Sequence, residues 1–159
     1  MELVVALLGL LGTLLGGAGY VWKRRQEVQA IRQGFRSEIG SLAEVIRLRR
    51  YIEDLRECAR EIDEGVHGEG ASLGLEIPLD LSSYRPVWTH YANRVGSLPR
   101  GEAEKVCRFY QLVDGVARDV SPGGVLHSGT PNSEDFRDAA DLLERALTIA
   151  DEICDAKRS

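Results

Sequence analysis

Residues 3–22 carry no charged side chain, and a run of that length leaves a chain few choices. Twenty helical residues at about 1.5 Å each span the roughly 30 Å hydrocarbon core of a bilayer. Lipid offers no water to backbone N–H and C=O groups, so a spanning segment of this kind must be helical. A cleaved signal peptide would begin on basic residues and end on a small-residue cleavage site. Here the start is Met1-Glu2, and the apolar run closes on Tyr20 and Trp22, followed by Lys23, Arg24 and Arg25. Aromatic residues followed by cations mark a membrane interface and its cytoplasmic side. The expectation is a retained single-pass anchor over residues 1–22 in the cell inner membrane. Its N-terminus faces out and the remainder of the chain is cytoplasmic.

The glycines of this run are ordered. Gly9, Gly12, Gly16 and Gly19 are spaced 3-4-3 and fall within an arc of about 80°. A small-residue seam lets two helix backbones approach closely in lipid, where packing drives association. The pattern predicts a homo-oligomer sealed along these four residues.

Beyond Trp22 the composition changes. The mean hydropathy of −0.19 averages an apolar anchor with an ordinary charged sequence. Apolar residues such as Phe35, Ile39, Leu42, Ile46, Leu55, Ala59 and Ile62 recur at helical spacing, predicting one long amphipathic, coiled-coil-like stem over 23–64. Residues 65–83 form a linker rich in glycine, in which Leu75 to Leu81 alternates like an extended strand. Residues 84–159 hold three further helices. The first runs from about Ser83 to Val95, with Pro86 tolerated in its first turn, and stops at Gly96, expected to be a left-handed cap. The second follows Pro99 and presents Val106, Tyr110, Val113 and Ala117. The third starts near Asn132 or Ser133, after a polar loop over 121–131, and presents Phe136, Ala140, Leu143 and Ala150. The expected fold is all-α: an N-terminal transmembrane helix continuing into an antiparallel cytoplasmic four-helix bundle, with 23–159 as one domain.

The hairpin carries a resemblance. Residues 91–99, Tyr-Ala-Asn-Arg-Val-Gly-Ser-Leu-Pro, precede a helix containing Phe109 and Tyr110. This pattern resembles uncharacterised small bacterial single-pass membrane proteins, in which an anchor and a basic helix precede an Asn-x-x-hydrophobic-Gly-x-Leu-Pro turn and a Phe-Tyr helix. The resemblance covers residues 1–115 and implies an architecture, with no activity attached. In physical terms Asn93, Gly96 and Pro99 are turn residues: Asn93 to bond free backbone groups, Gly96 to supply a positive φ, and Pro99 to open a helix.

Little in the chain suggests catalysis. Cys58, Cys107 and Cys154 lie at near-apolar positions of three different helices, without the spacing of a zinc site. A triad of Cys107, His90 and Asp114 has no local support. No phosphate-binding glycine loop, paired-carboxylate signature or cofactor motif is present, so no cofactor, metal or catalytic residue is expected.

Charge is more informative. The net charge of −5 joins a stem of +5 over 23–50 to a body of −9 over 51–159. Lys23, Arg24 and Arg25 can meet anionic headgroups. Arg47, Arg49 and Arg50 lie roughly 36 Å further along a straight helix. They either pair with acidic helix faces such as Asp135, Asp138, Asp141 and Glu144 or are simply solvated, or they form a patch for an anion or an acidic partner. Nucleic acid is disfavoured, because an acidic body repels phosphate.

These features predict a non-enzymatic membrane protein whose helical bundle is an interaction or oligomeric assembly module. Its partners are membrane lipid, further copies of itself and a possible second membrane protein. The alternative is a sensor-effector of the stress or phage-defence type, in which binding to the bundle rearranges the membrane helices. A Cys/His hydrolase is the remote third reading.

Overall fold

The computed structural model describes residues 2–68, 70–75 and 84–155, with side chains from Gly19 onward. The chain is all-helical. Six α-helices are described: α1 Glu2–Leu48, α2 Tyr51–Asp63, α3 Pro86–Tyr91, α4 Arg100–Asp119, α5 Val125–Ser128 and α6 Ser133–Asp155. A 3-10 turn, Ala92–Ser97, joins α3 to Leu98 and α4. The chain divides into two compact units, Met1–Gly34 and Phe35–Ser159.

In the first unit the described side chains up to Glu27 lie on an open stretch of α1, whereas Ile31, further along the same unit, is buried. Residues 19–27 are exposed without a break, and a Cβ at Gly19 would meet nothing within 4 Å. Gly9, Gly12 and Gly16 lie outside the residues whose side chains are described. Among the described residues no helix is long and apolar enough to cross a membrane.

The second unit holds the core. Phe35, Ile39, Leu42 and Ile46 from α1 are buried there, with Leu55 and Ala59 from α2. They are joined by Val106, Phe109, Tyr110 and Val113 from α4, and by Phe136, Ala140, Leu143 and Ala150 from α6. These are the 3-4 spaced positions of the sequence, because a helix turning at 3.6 residues gathers them on one side. Helix α6 packs against both α2 and α4. Asn132 caps it: its side-chain oxygen accepts the Glu134 N–H at 3.3 Å, one of the donors a helix start leaves free.

Three expectations are corrected. The single stem helix over 23–64 is two helices, broken at Arg49-Arg50, where Arg50 takes a left-handed conformation (φ 56°, ψ 33°). The hydrophobic period carries on across the break, so sequence spacing could not reveal it. The helix expected to end at Gly96 is only six residues of α-helix before it tightens into the 3-10 turn. Val87, Trp88, Thr89 and Tyr91 are β-branched or aromatic residues of modest helix propensity, which makes a long helix here costly. The third concerns Gly96, which is not among the residues with positive φ. The turn is instead closed by Ser97, whose hydroxyl donates to the Arg94 carbonyl at 2.7 Å, and by the Leu98 N–H donating to Val95. Asn93 is exposed, and Pro99 immediately precedes α4, its carbonyl accepting the Glu102 and Ala103 N–H groups.

The polar loop over 121–131 is more structured than its composition suggests. Ser121, Pro122, Gly123 and Gly124 form a tight turn, with the Gly124 N–H on the Ser121 carbonyl and Gly123 at φ 88°. Helix α5 follows and buries Leu126 completely. The linker is tied to it: Leu73 and Thr130 exchange two backbone hydrogen bonds, and the Leu75 N–H donates to Leu126. Most of the alternating Leu75–Leu81 stretch, residues 76–81, lies outside the described residues.

Candidate functional site

Four groups of residues could serve function, and the structure separates them. The interfacial set comes first. Tyr20, Val21 and Trp22 are 68%, 51% and 64% exposed, and Lys23, Arg24 and Arg25 beside them are exposed as well. Three consecutive large apolar residues held in the open are a departure from ordinary surface, where such residues occur singly.

The arginine set is divided. Arg47 donates through Nη2 to both carboxylate oxygens of Asp151, at 2.7 and 2.9 Å. Asp141 and Glu144, expected as partners for the cluster, face Arg56 instead, at 4.0 and 2.8 Å. Asp135 accepts from Thr130 and Asn132. Arg49 and Arg50 are exposed at the α1–α2 corner beside Leu48, which is also exposed, and no ion pair involving either is found among the described residues. A straight helix to residue 64 would have placed α2 further along the same axis. The corner turns α2 back, so Arg56 on α2 meets the acids of α6.

The third group does not stand out as a motif in the sequence. Glu38, on α1, is buried, and its carboxylate accepts from the backbone N–H groups of Val87 (2.6 Å) and Trp88 (3.0 Å) and from the Tyr110 phenol. The two backbone donors belong to the first turn of α3, which has no side-chain cap of its own. A buried carboxylate without such donors would be very costly; here three donors satisfy it. Phe35, Trp88 and Tyr110 close around it, with Trp88 stacked on Tyr110 at 4.3 Å and Phe35 tilted against both. Burial first, then the hydrogen bond to Glu38 and its charge, push the Tyr110 phenol far above the usual range, while Arg85 pulls the other way. One signal of it was present all the same. Glu38 stands three residues after Phe35 and four before Leu42, a seam position where a charge needs a partner.

Beside this clamp, Arg85 pairs with Asp114, both side chains 24% exposed. The pair lines an open cleft of ≈ 690 Å3, together with Arg118, Asp119, Ser121 and Gly124. Asp119 is held above the ordinary carboxylate range by burial and by Asp135. Across α1 and α4, Arg36 and Glu102 form a nearly buried ion pair at 3.3 Å.

The cysteines and histidines make the fourth group, and the structure does not assemble them. Burial raises the Cys58 thiol, helped by Glu61 and Asp54, and raises Cys154, helped by Asp151 and Asp155. Both changes disfavour the nucleophilic thiolate. Of the imagined triad, Asp114 is engaged by Arg85 and the His90 ring lies edge-on to Tyr91 at 4.5 Å. His67 contacts Glu61 at 2.9 Å. No group of residues suited to hold a metal ion is found among the described residues.

Comparison of the chain with known proteins finds no matching family, no matching curated protein and no matching solved structure.

Proposed function

We propose that the protein is a non-enzymatic, single-pass membrane protein whose cytoplasmic helical bundle serves as an interaction and homo-oligomeric assembly module. One observation carries the reading: an uncharged run of twenty residues ends in three exposed apolar residues followed directly by three exposed cations. That order of residues suits a helix leaving lipid for water. The buried polar groups of the body support a structural role for it. Glu38 with Tyr110, and Arg36 with Glu102, tie α1 to α4, which suits a rigid scaffold presenting its surface to partners.

The decisive experiment is fractionation of the full chain, with topology read at Cys154, which is exposed. The protein is expected in the carbonate-resistant membrane pellet, with Cys154 protected from an impermeant maleimide until the cells are lysed. Recovery in the carbonate supernatant would overturn the anchor, and labelling of intact spheroplasts would overturn the orientation. For assembly, Gly12→Ile with Gly16→Ile is expected to abolish crosslinking between copies within the membrane.

The cleft favours a second reading, that of a sensor-effector. Arg85 at the cleft directly precedes α3, whose first N–H groups rest on Glu38 of α1. Occupation of the cleft would then act on the helix that continues toward the anchor. Ion leakage through reconstituted vesicles would favour this reading over a passive adaptor.

A further inference from the structure

We infer that residues 20–25 form a collar that gathers a ring of anionic phospholipids around α1, with the helix passing through the headgroup layer instead of lying along it. The inference rests on the membrane reading above and adds to it the class of lipid and the mode of contact.

The geometry of the helix supplies the argument. At about 100° per residue, Tyr20, Val21 and Trp22 point in three directions, and Lys23, Arg24 and Arg25 point in three more. Arg24 falls about 40° from Tyr20, and Arg25 about 40° from Val21, each one turn further along. The six together leave no gap wider than about 100° around the axis. All six are exposed, and so is every residue from 19 to 27. Apolar side chains thus occupy one level of the helix over about 200° of its circumference, and cations occupy the next over a similar span, each filling much of the gap the other leaves.

A one-sided surface cannot satisfy such an arrangement. A protein groove, or a bilayer on which the helix lay flat, would cover part of the circumference and leave the other rings in water. In-plane helices separate an apolar from a charged face; this segment separates an apolar from a charged level. A headgroup layer encircles a crossing helix, taking aromatic rings at its inner edge and cations among its phosphates. Anionic headgroups match three cations within one turn, because each cation near such a surface gains from the negative potential.

The test uses the full chain reconstituted into vesicles of phosphatidylcholine and phosphatidylglycerol, with bromine labels on one lipid or the other at equal amounts. The chain has two tryptophans, Trp22 and Trp88, and the Trp22→Phe variant isolates the contribution of Trp88. Labelled phosphatidylglycerol is expected to quench Trp22 severalfold more than labelled phosphatidylcholine. Lys23→Gln, Arg24→Gln and Arg25→Gln are each expected to lower that preference, by up to about fivefold and by similar amounts. Equal quenching by the two lipids would overturn the anionic ring while leaving the anchor standing. Loss of preference from only one of the three variants would overturn the collar in favour of one-sided contact. Quenching by neither lipid would mean that Trp22 does not reach the membrane, and the membrane reading would fall with the inference.

Discussion

Tyr110 on α4 donates its phenolic hydrogen to the buried carboxylate of Glu38, seventy-two residues earlier on α1. The same carboxylate receives two backbone N–H groups of α3. One side chain therefore fastens three helices, and its removal strands three donors at once.

Glu38→Ala is expected to cost about 3–5 kcal/mol, since each stranded buried donor costs about 1–3 kcal/mol and a cavity is left as well. Glu38→Gln keeps the volume and one acceptor, and is expected to cost about half as much. Urea unfolding of the full chain in detergent, followed by Trp88 fluorescence, gives both values. A loss below about 1 kcal/mol for the alanine variant would mean that aromatic packing alone holds α3.

The Tyr110 phenol is raised by burial and by Glu38, so it stays protonated in the folded state where a free tyrosine ionises. Its contribution to stability is complete below the unfolded value of about 10. Above that pH the unfolded chain loses the proton and the folded chain keeps it, so stability falls by about 1.4 kcal/mol per pH unit. Tyr110→Phe is expected to remove this portion of the alkaline slope. In the native protein, the absorbance titration of the wild type and of Tyr110→Phe should coincide, because Tyr110 stays silent until unfolding.

Two glycines separate local from tertiary demands. A Cβ at Gly124 would fall on the carbonyl oxygens of Arg118 and Asp119, closer than real contacts allow. Gly124→Ala is expected to destabilise by about 1–3 kcal/mol. A Cβ at Gly96 meets nothing within 4 Å, and its φ is ordinary. Gly96→Ala is expected to be neutral or to stabilise by up to about 1 kcal/mol. Thermal melts of the two variants should therefore move in opposite directions or differ by several degrees.

Arg50 is the one described non-glycine residue with positive φ. Left-handed geometry costs an L-residue about 1–2 kcal/mol, which glycine avoids. Arg50→Gly is expected to raise stability by about 1 kcal/mol, and Arg49→Gly, which lacks that relief, to lower it slightly. If Arg50→Gly is destabilising, its guanidinium holds a contact that outweighs the backbone cost.

Much of the helical body is legible in residue spacing alone. The intervals between Val106, Tyr110, Val113 and Ala117, and between Phe136, Ala140, Leu143 and Ala150, locate α4 and α6, because period 3.6 is a local property. Asn132 announces the start of α6 for the same reason. The corner at Arg49-Arg50 is not legible in this way, since the apolar period runs through it and only packing makes α2 fold back. Nor is the division of the arginines, in which Arg47 finds Asp151 while Arg56 takes Asp141 and Glu144.

By itself, then, the sequence determined what depends on neighbours along the chain: an uncharged run of twenty residues, the aromatic-to-cation order at residues 20–25, and the helical faces of the body. Only the tertiary structure decided the fate of Glu38. Its place in the apolar seam asks for a partner, but nothing local names one until α3 and α4 bring their N–H and O–H groups to it. Local sequence sets which way a side chain points along its own helix. Desolvation and hydrogen-bond partners come from elements far away in the chain, and they settle whether a charge is solvated or holds the fold together.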